Sequence, residues 1–300
     1  MIIGVDIGNY SVKTSENAFF LSKVTTDKNL FEEEMVMQYE NNFFIIGQGE
    51  FETNLDKSSK EHLMIYLLAA IAYSTEDIDN QIVLGLPISH YKSSRESLKN
   101  KILSNRINTF SLNGVKRQII ITDIEVFPEG VASYYSLCDS EKERLKGKDI
   151  VIIDIGGRTT DICLLVENND IRRIEKPLTL FAGMLNVYDD FIKAINEKFI
   201  LNKEIEDAEK ILKNGLEIFG NRKDLTFTKP IIKKYIDKIL KELYVNYPIQ
   251  TENIIVTGGG SYFLGEALKA YIPNLIVMNN SIFSNAYGFK KVGESLWLKS

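Results

Sequence analysis

An α/β fold with an internally duplicated strand–turn–strand unit is what this sequence predicts, on three observations. The stretches "MIIGVDIGNYSVKTS" at residues 1–15 and "VIIDIGGRTTDICLL" at 151–165 share one outline: apolar strand, aspartate, glycine turn, hydroxyl residues, apolar strand. Laid over each other they pair Asp6 with Asp154, Gly8 with Gly156, Ser11 with Thr159 and Lys13 with Asp161, which marks an internal duplication. A triple glycine, Gly258, Gly259 and Gly260, separates an apolar strand from a helix. Strand-like and helix-like periodicities follow one another along 300 residues, enough for two domains of roughly 150 residues or one large α/β unit.

The first fifteen residues read as strand, tight turn and returning strand. Residues 17–50 continue as β structure, with Asn41-Asn42 as a hairpin turn in "EEMVMQYENNFFIIGQGE". Helical spacing runs through "SSKEHLMIYLLAAIAYS", capped by Ser58 or Ser59 with Glu61 in the first turn. "QIVLGLP" is a buried strand ended by Pro87, "SSRESLKNKILS" a helix, and "SLNGVKRQIIITDIEVF" a hairpin tipped by Asn113-Gly114. Pro128 suits the first helical position, so "PEGVASYYSLCDS" is predicted as a helix with Glu129 at its start. From 148 the opening pattern returns: strand, glycine turn, strand, a turn at Asn168-Asn169, strand. Helices are predicted over 184–199, 204–214 and 229–246. "ENIIVTGGGSYFLGEALKAYI" reads as strand, glycines and helix, "LIVMNN" as a strand, and "SNAYGFKKVGESLWLK" as a closing helix. No low-complexity tether occurs, so a boundary between the halves is a hinge.

Composition narrows the function. No apolar run approaches the roughly 20 residues that cross a bilayer, and "MIIGVDIG" lacks the basic start and cleavage site of a secretory signal. A cytoplasmic protein without membrane contact is expected. The two cysteines, Cys138 and Cys163, have no zinc-type spacing, and the two histidines, His62 and His90, have no nucleophile motif nearby. A net charge of −5 argues against broad direct contact with nucleic acid, which needs clustered cations to neutralise phosphates. Lys233, Lys234, Lys238 and Lys241 recur at helical spacing and read as a solvated face.

Glycine-rich turns let backbone N–H groups converge on an anion, and neighbouring Ser and Thr hydroxyls add donors. Two such turns facing each other would clamp a polyphosphate. The aspartates that end the first strands suit Mg2+, which keeps most of its waters, so Asp6 and Asp154 are expected to hold it through water. Lys13 would neutralise a phosphate oxygen. Gly258, Gly259 and Gly260 offer bare backbone and a helix N-terminus to a ribose and phosphate. Neither GxxxxGK[ST] nor a strand–GxGxxG–helix unit occurs, which removes the P-loop and dinucleotide-binding readings. Glu129 is either an acid favoured by the helix macrodipole or the side chain that orients a water toward a γ-phosphate. A glutamate there favours hydrolysis over transfer to a bound hydroxyl.

Five segments in order, "GVDIGNYSVKT", "VFPEGVASYY", "IIDIGGRTTDICLL", "IIVTGGGSYFLG" and "SNAYGF", resemble the phosphate, connecting and adenosine segments of the actin, heat-shock chaperone and sugar kinase superfamily of ATPases. "QIVLGLP", "FPEG" and "FAGMLNVYDDFI" are most similar to the bacterial actin-like proteins of the ParM type, which segregate plasmids. The resemblance spans nearly the whole chain. It implies an actin-like two-lobed ATPase of duplicated ribonuclease-H-like domains with a nucleotide cleft between them. Lobe I would take residues 1–130 and 282–300, with an outer subdomain over about 17–80; lobe II would take 131–281, with an outer helical subdomain over about 184–250.

The same resemblance implies ATP or GTP with Mg2+ in the cleft. Gly8, Asn9, Tyr10, Ser11 and Lys13 from the first turn, and Gly156, Gly157, Arg158 and Thr159 from the second, would bind the phosphates. Asp6 and Asp154 would hold the hydrated metal, and Glu129 with Asp154 would be catalytic, Glu129 positioning the attacking water. Gly183 would approach the ribose and Gly258, Gly259 and Gly260 the adenosine. Glu209 and Lys213 would flank the base, although Glu and Lys four apart on a helix also form a routine surface pair. Arg158 stands where a smaller residue is expected, and would serve either the phosphates or a neighbouring subunit. Functionally the resemblance implies head-to-tail filaments that grow with ATP and shrink after hydrolysis, moving plasmid DNA through a DNA-binding adaptor. A small-molecule kinase on the same fold is the rival reading; a non-hydrolysing scaffold is disfavoured by Asp6, Asp154 and Glu129.

Overall fold

The computed structural model describes residues 1–27, 35–54, 57–168 and 171–298. One sheet contains β1 (Ile2–Ile7), β2 (Ser11–Thr14), β3 (Phe19–Leu21), β4 (Lys23–Thr25), β5 (Met35–Tyr39), β6 (Asn42–Phe51), β7 (Asp79–Leu86), β8 (Ile107–Leu112) and β9 (Val115–Pro128), in the order β3-β2-β1-β7-β9-β8-β5-β6-β4. A second contains β10 (Ile150–Ile155), β11 (Thr160–Asn168) and β12 (Ile171–Leu180). After a small hairpin of β13 (Glu217–Ile218) and β14 (Asn221–Arg222), it is completed by β15 (Asn253–Thr257) and β16 (Leu275–Val277), in the order β12-β11-β10-β15-β16. The helices are α1 (Leu63–Ser74), α2 (Tyr91–Leu103), α3 (Val131–Ser136), α4 (Asp139–Leu145), α5 (Met184–Phe199), α6 (Asp207–Asn214), α7 (Lys229–Asn246), α8 (Ser261–Lys269) and α9 (Ser284–Trp297).

The sequence repeat is also a repeat of topology. β1 lies antiparallel to β2 and parallel to β7, as β10 lies antiparallel to β11 and parallel to β15. Asp6 stands opposite Lys13 in the first ladder and Asp154 opposite Asp161 in the second. Both turns close alike: Gly8 N–H donates to the Ser11 carbonyl at 3.1 Å, and Gly156 N–H to the Thr159 carbonyl at 2.8 Å. β1 and β10 are covered on both faces, which is why they read as continuous apolar runs rather than alternating ones.

α1 is apolar around most of its circumference and buries Leu63, Ile65, Leu67, Leu68 and Ile71 in a core with Ile3, Val5, Ile82 and Leu84. The second core joins Val151, Ile153, Ile254 and Val256 to Phe191 and Ile195 of α5 and Leu243 of α7. α9 packs against β1, β7 and α3, with Phe289 fully buried beside Val83 and Ala132. The lysines of α7 lie on an exposed face, where Lys233 pairs with Asp237 and Lys234 with Asp190. Among the described residues no helix is long and apolar enough to cross a membrane.

Several local expectations are corrected. The first hairpin turns on Glu40 and Asn41, both at positive φ, with Tyr39 opposite Asn42, one residue earlier than Asn41-Asn42. α1 begins at Leu63 without a side-chain cap, because Lys57–Ser59 form a separate 3-10 turn. Pro128 ends β9, opposite Leu86, and Gly130 at φ +72 separates it from α3. Glu129 therefore lies in a strand-to-helix turn, outside the helix. The single helix expected from Pro128 is two, α3 and α4. α6 begins at Asp207 rather than 204. The expected turn at Asn168-Asn169 falls partly outside the described residues.

Candidate nucleotide site

Both glycine turns open into one cleft with two adjoining hollows. The first, about 750 Å³ and continuous with solvent, is lined by Asp6, Gly8, Asn9, Tyr10, Ser11 and Lys13, and by Glu129, Asp154, Gly156, Gly157, Arg158, Thr159, Gly258 and Gly259. The second, about 540 Å³, is walled by Tyr10, Phe19, Met184, Tyr188, Tyr262 and Phe263, with Gly260 and Glu209 also on its surface. A polar hollow beside an aromatic one matches a phosphate chain joined to a flat base. Two predicted residues do not line the cleft. Lys213 lies in a separate depression with Phe191, Gly215 and Arg222, so it does not flank the same hollow as Glu209. Gly183 stands behind the second turn, at the start of α5.

Close backbone approach explains the glycines. A Cβ on Gly183 would come within 2.5 Å of the Gly157 carbonyl, and one on Gly157 within 2.7 Å of the Tyr10 Cβ. Gly183 therefore supports the second turn, while Gly157 brings that turn against the first. Gly258 has φ +80, and a Cβ there would overlap the Asp154 carboxylate. Tyr10 stacks on Phe51 with centroids 5.3 Å apart, meets Tyr188 edge-on, and donates to Glu209 at 3.2 Å. Arg158 Nε donates to the Glu52 carbonyl at 3.0 Å, tying the second turn to the end of β6. Lys23, in β4, pairs with Glu206 just before α6.

The charged centre is built from distant segments. Lys13 Nζ lies 3.2 Å from Asp6 Oδ2, and Lys57 Nζ lies 3.4 Å from Asp6 Oδ1 while also pairing with Glu129 Oε1. Burial pushes the Asp6 carboxyl up, but the two lysines outweigh it and hold Asp6 below the ordinary aspartate value. Burial likewise opposes the charge on Lys57, and Glu129 and Asp6 outweigh it, so Lys57 is held as a cation. Burial raises Glu129 against the pull of Lys57. Asp154 is pushed up to about 6 by burial, opposed by a 2.7 Å hydrogen bond from the Asn285 amide. Asn285 Oδ1 also accepts the Gly130 N–H at 3.0 Å, so one side chain of α9 joins Asp154 to the turn that carries Glu129. Asp161 is pushed up to about 7 by burial, against a hydrogen bond from Thr179.

Lys60 lies beneath the first turn, fully buried, with Nζ 3.4 Å from the carbonyls of Ile7 and Gly8. Burial, reinforced by Lys57, lowers it to about 7. A depressed lysine contributes stability that is present above its ordinary value and lost as pH falls through 7. From pH 9 to pH 6 the wild type should therefore lose about 2 kcal/mol that Lys60→Met does not lose. Urea titrations of both proteins at the two pH values measure this. Parallel losses would show that Lys60 keeps an ordinary pKa.

Lys57, Lys60, Asn285 and Thr179 were not legible as site residues. "DKSSK" reads locally as the polar lead-in to a helix, and nothing in it points to Asp6 or Glu129. Asn285 lies inside "SNAYGF", the one local signal that could have led to it.

Comparison with known proteins agrees with this architecture. The family description "Actin like proteins N terminal domain" matches residues 4–131, and "Archaeal actin homologue MreB-like, C-terminal" matches 152–270. An archaeal actin homolog of Thermoplasma acidophilum is 24% identical over 233 residues, covering 72% of this chain and 69% of that protein. Its counterpart in Thermoplasma volcanium is 25% identical over 240 residues, with the same coverages. Among solved structures, the archaeal actin homolog Ta0583 in complex with ADP superposes with a TM-score of 0.85 at 19% identity, over 98% of this chain and 99% of that one. A 15-stranded ParM filament from Clostridium botulinum gives 0.81 at 22% identity, again over 98% and 99%. With two successive family matches spanning most of its length and a duplicated two-sheet fold around one cleft, this chain belongs to the actin-like ATPase superfamily.

Proposed function

We propose that this chain binds and hydrolyses a magnesium nucleoside triphosphate and couples that cycle to head-to-tail self-assembly. One observation carries the reading: two turns of identical construction face a single cleft that Glu129 also lines. Backbone N–H groups of both turns, with Ser11, Thr159 and Lys13, would hold the phosphates; the aromatic hollow would take the base. ATP is the proposed substrate and GTP its competitor.

The residues fit a hydrated magnesium. Asn9 Oδ1, in the cleft wall, is buried without a partner and suits a donor such as metal-bound water. Among the described residues no three His, Cys, Asp or Glu side chains cluster tightly enough to hold a metal alone. Asp6 and Asp154 would thus act through water, with phosphate oxygens completing the shell. Bound there, the ion would offset charge developing on the phosphates. Glu129 would accept a hydrogen bond from the attacking water and orient it, and Lys13 would neutralise a phosphate oxygen.

The ADP complex of Ta0583 and the ParM filament of Clostridium botulinum support the nucleotide and the assembly respectively. A heterologous contact that does not close on itself grows into a filament, which is the form of assembly proposed. Movement of plasmid DNA through a DNA-binding adaptor, in the cytoplasm, is the finer proposal, and the net charge of −5 favours an adaptor over direct contact. Light scattering at 90° with Mg-ATP or Mg-GTP, followed beside phosphate release, tests the core of it. Scattering should rise promptly and decay as phosphate appears. No scattering at any concentration, with turnover only after a small-molecule acceptor is added, would leave the kinase reading instead.

A further inference from the structure

The ammonium group of Lys57 has an unusual setting for a lysine in a polar lead-in. Its side chain is 5% exposed, and it reaches two carboxylates at once, Asp6 at the end of β1 and Glu129 in the turn after β9. The 3-10 turn Lys57–Ser59, closed by the Lys60 N–H donating to the Lys57 carbonyl at 3.3 Å, carries it into the cleft wall. Lys13 occupies the other oxygen of Asp6, so the two lysines divide that carboxylate between them. Only Lys57 of this pair is bonded to Glu129.

Net stability is a weak reason for such an arrangement. Taking three charges out of water costs more than the pairing returns unless the geometry is close to ideal, and apolar residues of similar volume commonly serve a core as well or better. A side chain that must hold one carboxylate in one orientation does require it. Glu129 is otherwise fixed through its backbone, by its N–H to the Leu86 carbonyl at 2.9 Å and by the neighbouring Gly130 N–H to Asn285. Its carboxylate packs against Gly85, where a Cβ would come within 2.7 Å of Oε1. Lys57 supplies the directional bond to that same oxygen.

Resting on the hydrolytic reading above, we propose that Lys57 is a positioning residue for hydrolysis, its ammonium group anchored on Asp6 and holding the Glu129 carboxylate in the orientation that aligns the attacking water. The phosphates themselves are left to Lys13 and the two turns. Removing Lys57 should therefore slow the chemical step without weakening nucleotide binding.

The test compares wild type, Lys57→Met, Lys57→Arg, Glu129→Gln and the Lys57→Met/Glu129→Gln double variant. Each is measured by single-turnover and steady-state ATP hydrolysis, and by equilibrium binding of a fluorescent ATP analogue with magnesium. Lys57→Met should lower kcat about 100-fold while KM and analogue affinity stay within about threefold. Lys57→Arg should recover part of kcat. The double variant should hydrolyse no more slowly than Glu129→Gln, because both changes remove one unit of function. An unchanged kcat, a loss confined to KM and affinity, or a further loss of kcat in the double variant would each overturn the proposal. The double variant carries no unpaired charge from the pair, so if Lys57→Met fails to fold, its comparison with Glu129→Gln decides the matter. Wild type that binds the analogue but never hydrolyses ATP would overturn the hydrolytic reading and this proposal together; wild type that binds no analogue would overturn the nucleotide site itself.

Discussion

Glu129→Gln should lower phosphate release by about two to four orders of magnitude, with nucleotide affinity changed by no more than a few-fold. The carboxylate is held on several sides. Lys57 bonds Oε1, Gly85 leaves the space it packs into, and the backbone is pinned to Leu86. Glutamine keeps the shape and an acceptor for Lys57, so the site should stay assembled while losing the negative charge proposed above to orient water. If nucleotide binding drives assembly and hydrolysis drives release, scattering by Glu129→Gln with Mg-ATP should rise as in wild type and then persist. Single-turnover hydrolysis beside scattering reads both. A loss below tenfold would remove Glu129 from the chemistry.

Gly288→Ala should destabilise the protein by about 3 kcal/mol and weaken nucleotide binding at the same time. Gly288 lies where α9 crosses α3, and an added Cβ would overlap the Ala132 carbonyl oxygen. That obstacle is backbone, so no side-chain rotation relieves it. α9 would have to tilt away from α3, β1 and β7, unseating the fully buried Phe289. The same tilt would move Asn285, which joins Asp154 to Gly130. Urea denaturation and binding of a fluorescent ATP analogue measure the two consequences. Gly259→Ala is the stability control, because a Cβ there meets nothing within 4 Å. A change below 1 kcal/mol in Gly288→Ala would mean that the helix crossing adapts.

How far the fold was legible depended on the range of the interaction that decides each element. α5 and α7 were read to the residue, at 184–199 and 229–246, because amphipathic spacing and terminal residues act within a few positions. The Asn113-Gly114 turn was also local, both residues taking the positive φ that such a hairpin needs. Pro128 was misread, because its fixed φ suits a helix start and a strand end equally; the pairing of β9 with β7 decided between them. The hairpin at Glu40-Asn41 slipped by one residue for a similar reason, since two adjacent asparagines offered two registers and the partner strands chose.

The sequence by itself determined the duplicated aspartate–glycine turns, the third glycine cluster and the succession of strands and helices, because each rests on backbone conformation and periodicity within a few residues. Only the tertiary structure brought Lys57 to Asp6 and Glu129 across separations of 51 and 72 residues, and Asn285 to Asp154 across 131. It also moved Gly183 and Lys213 out of the cleft wall. Side-chain pairing of this kind is set by how two sheets and the returning helix α9 pack together, and no local propensity encodes it.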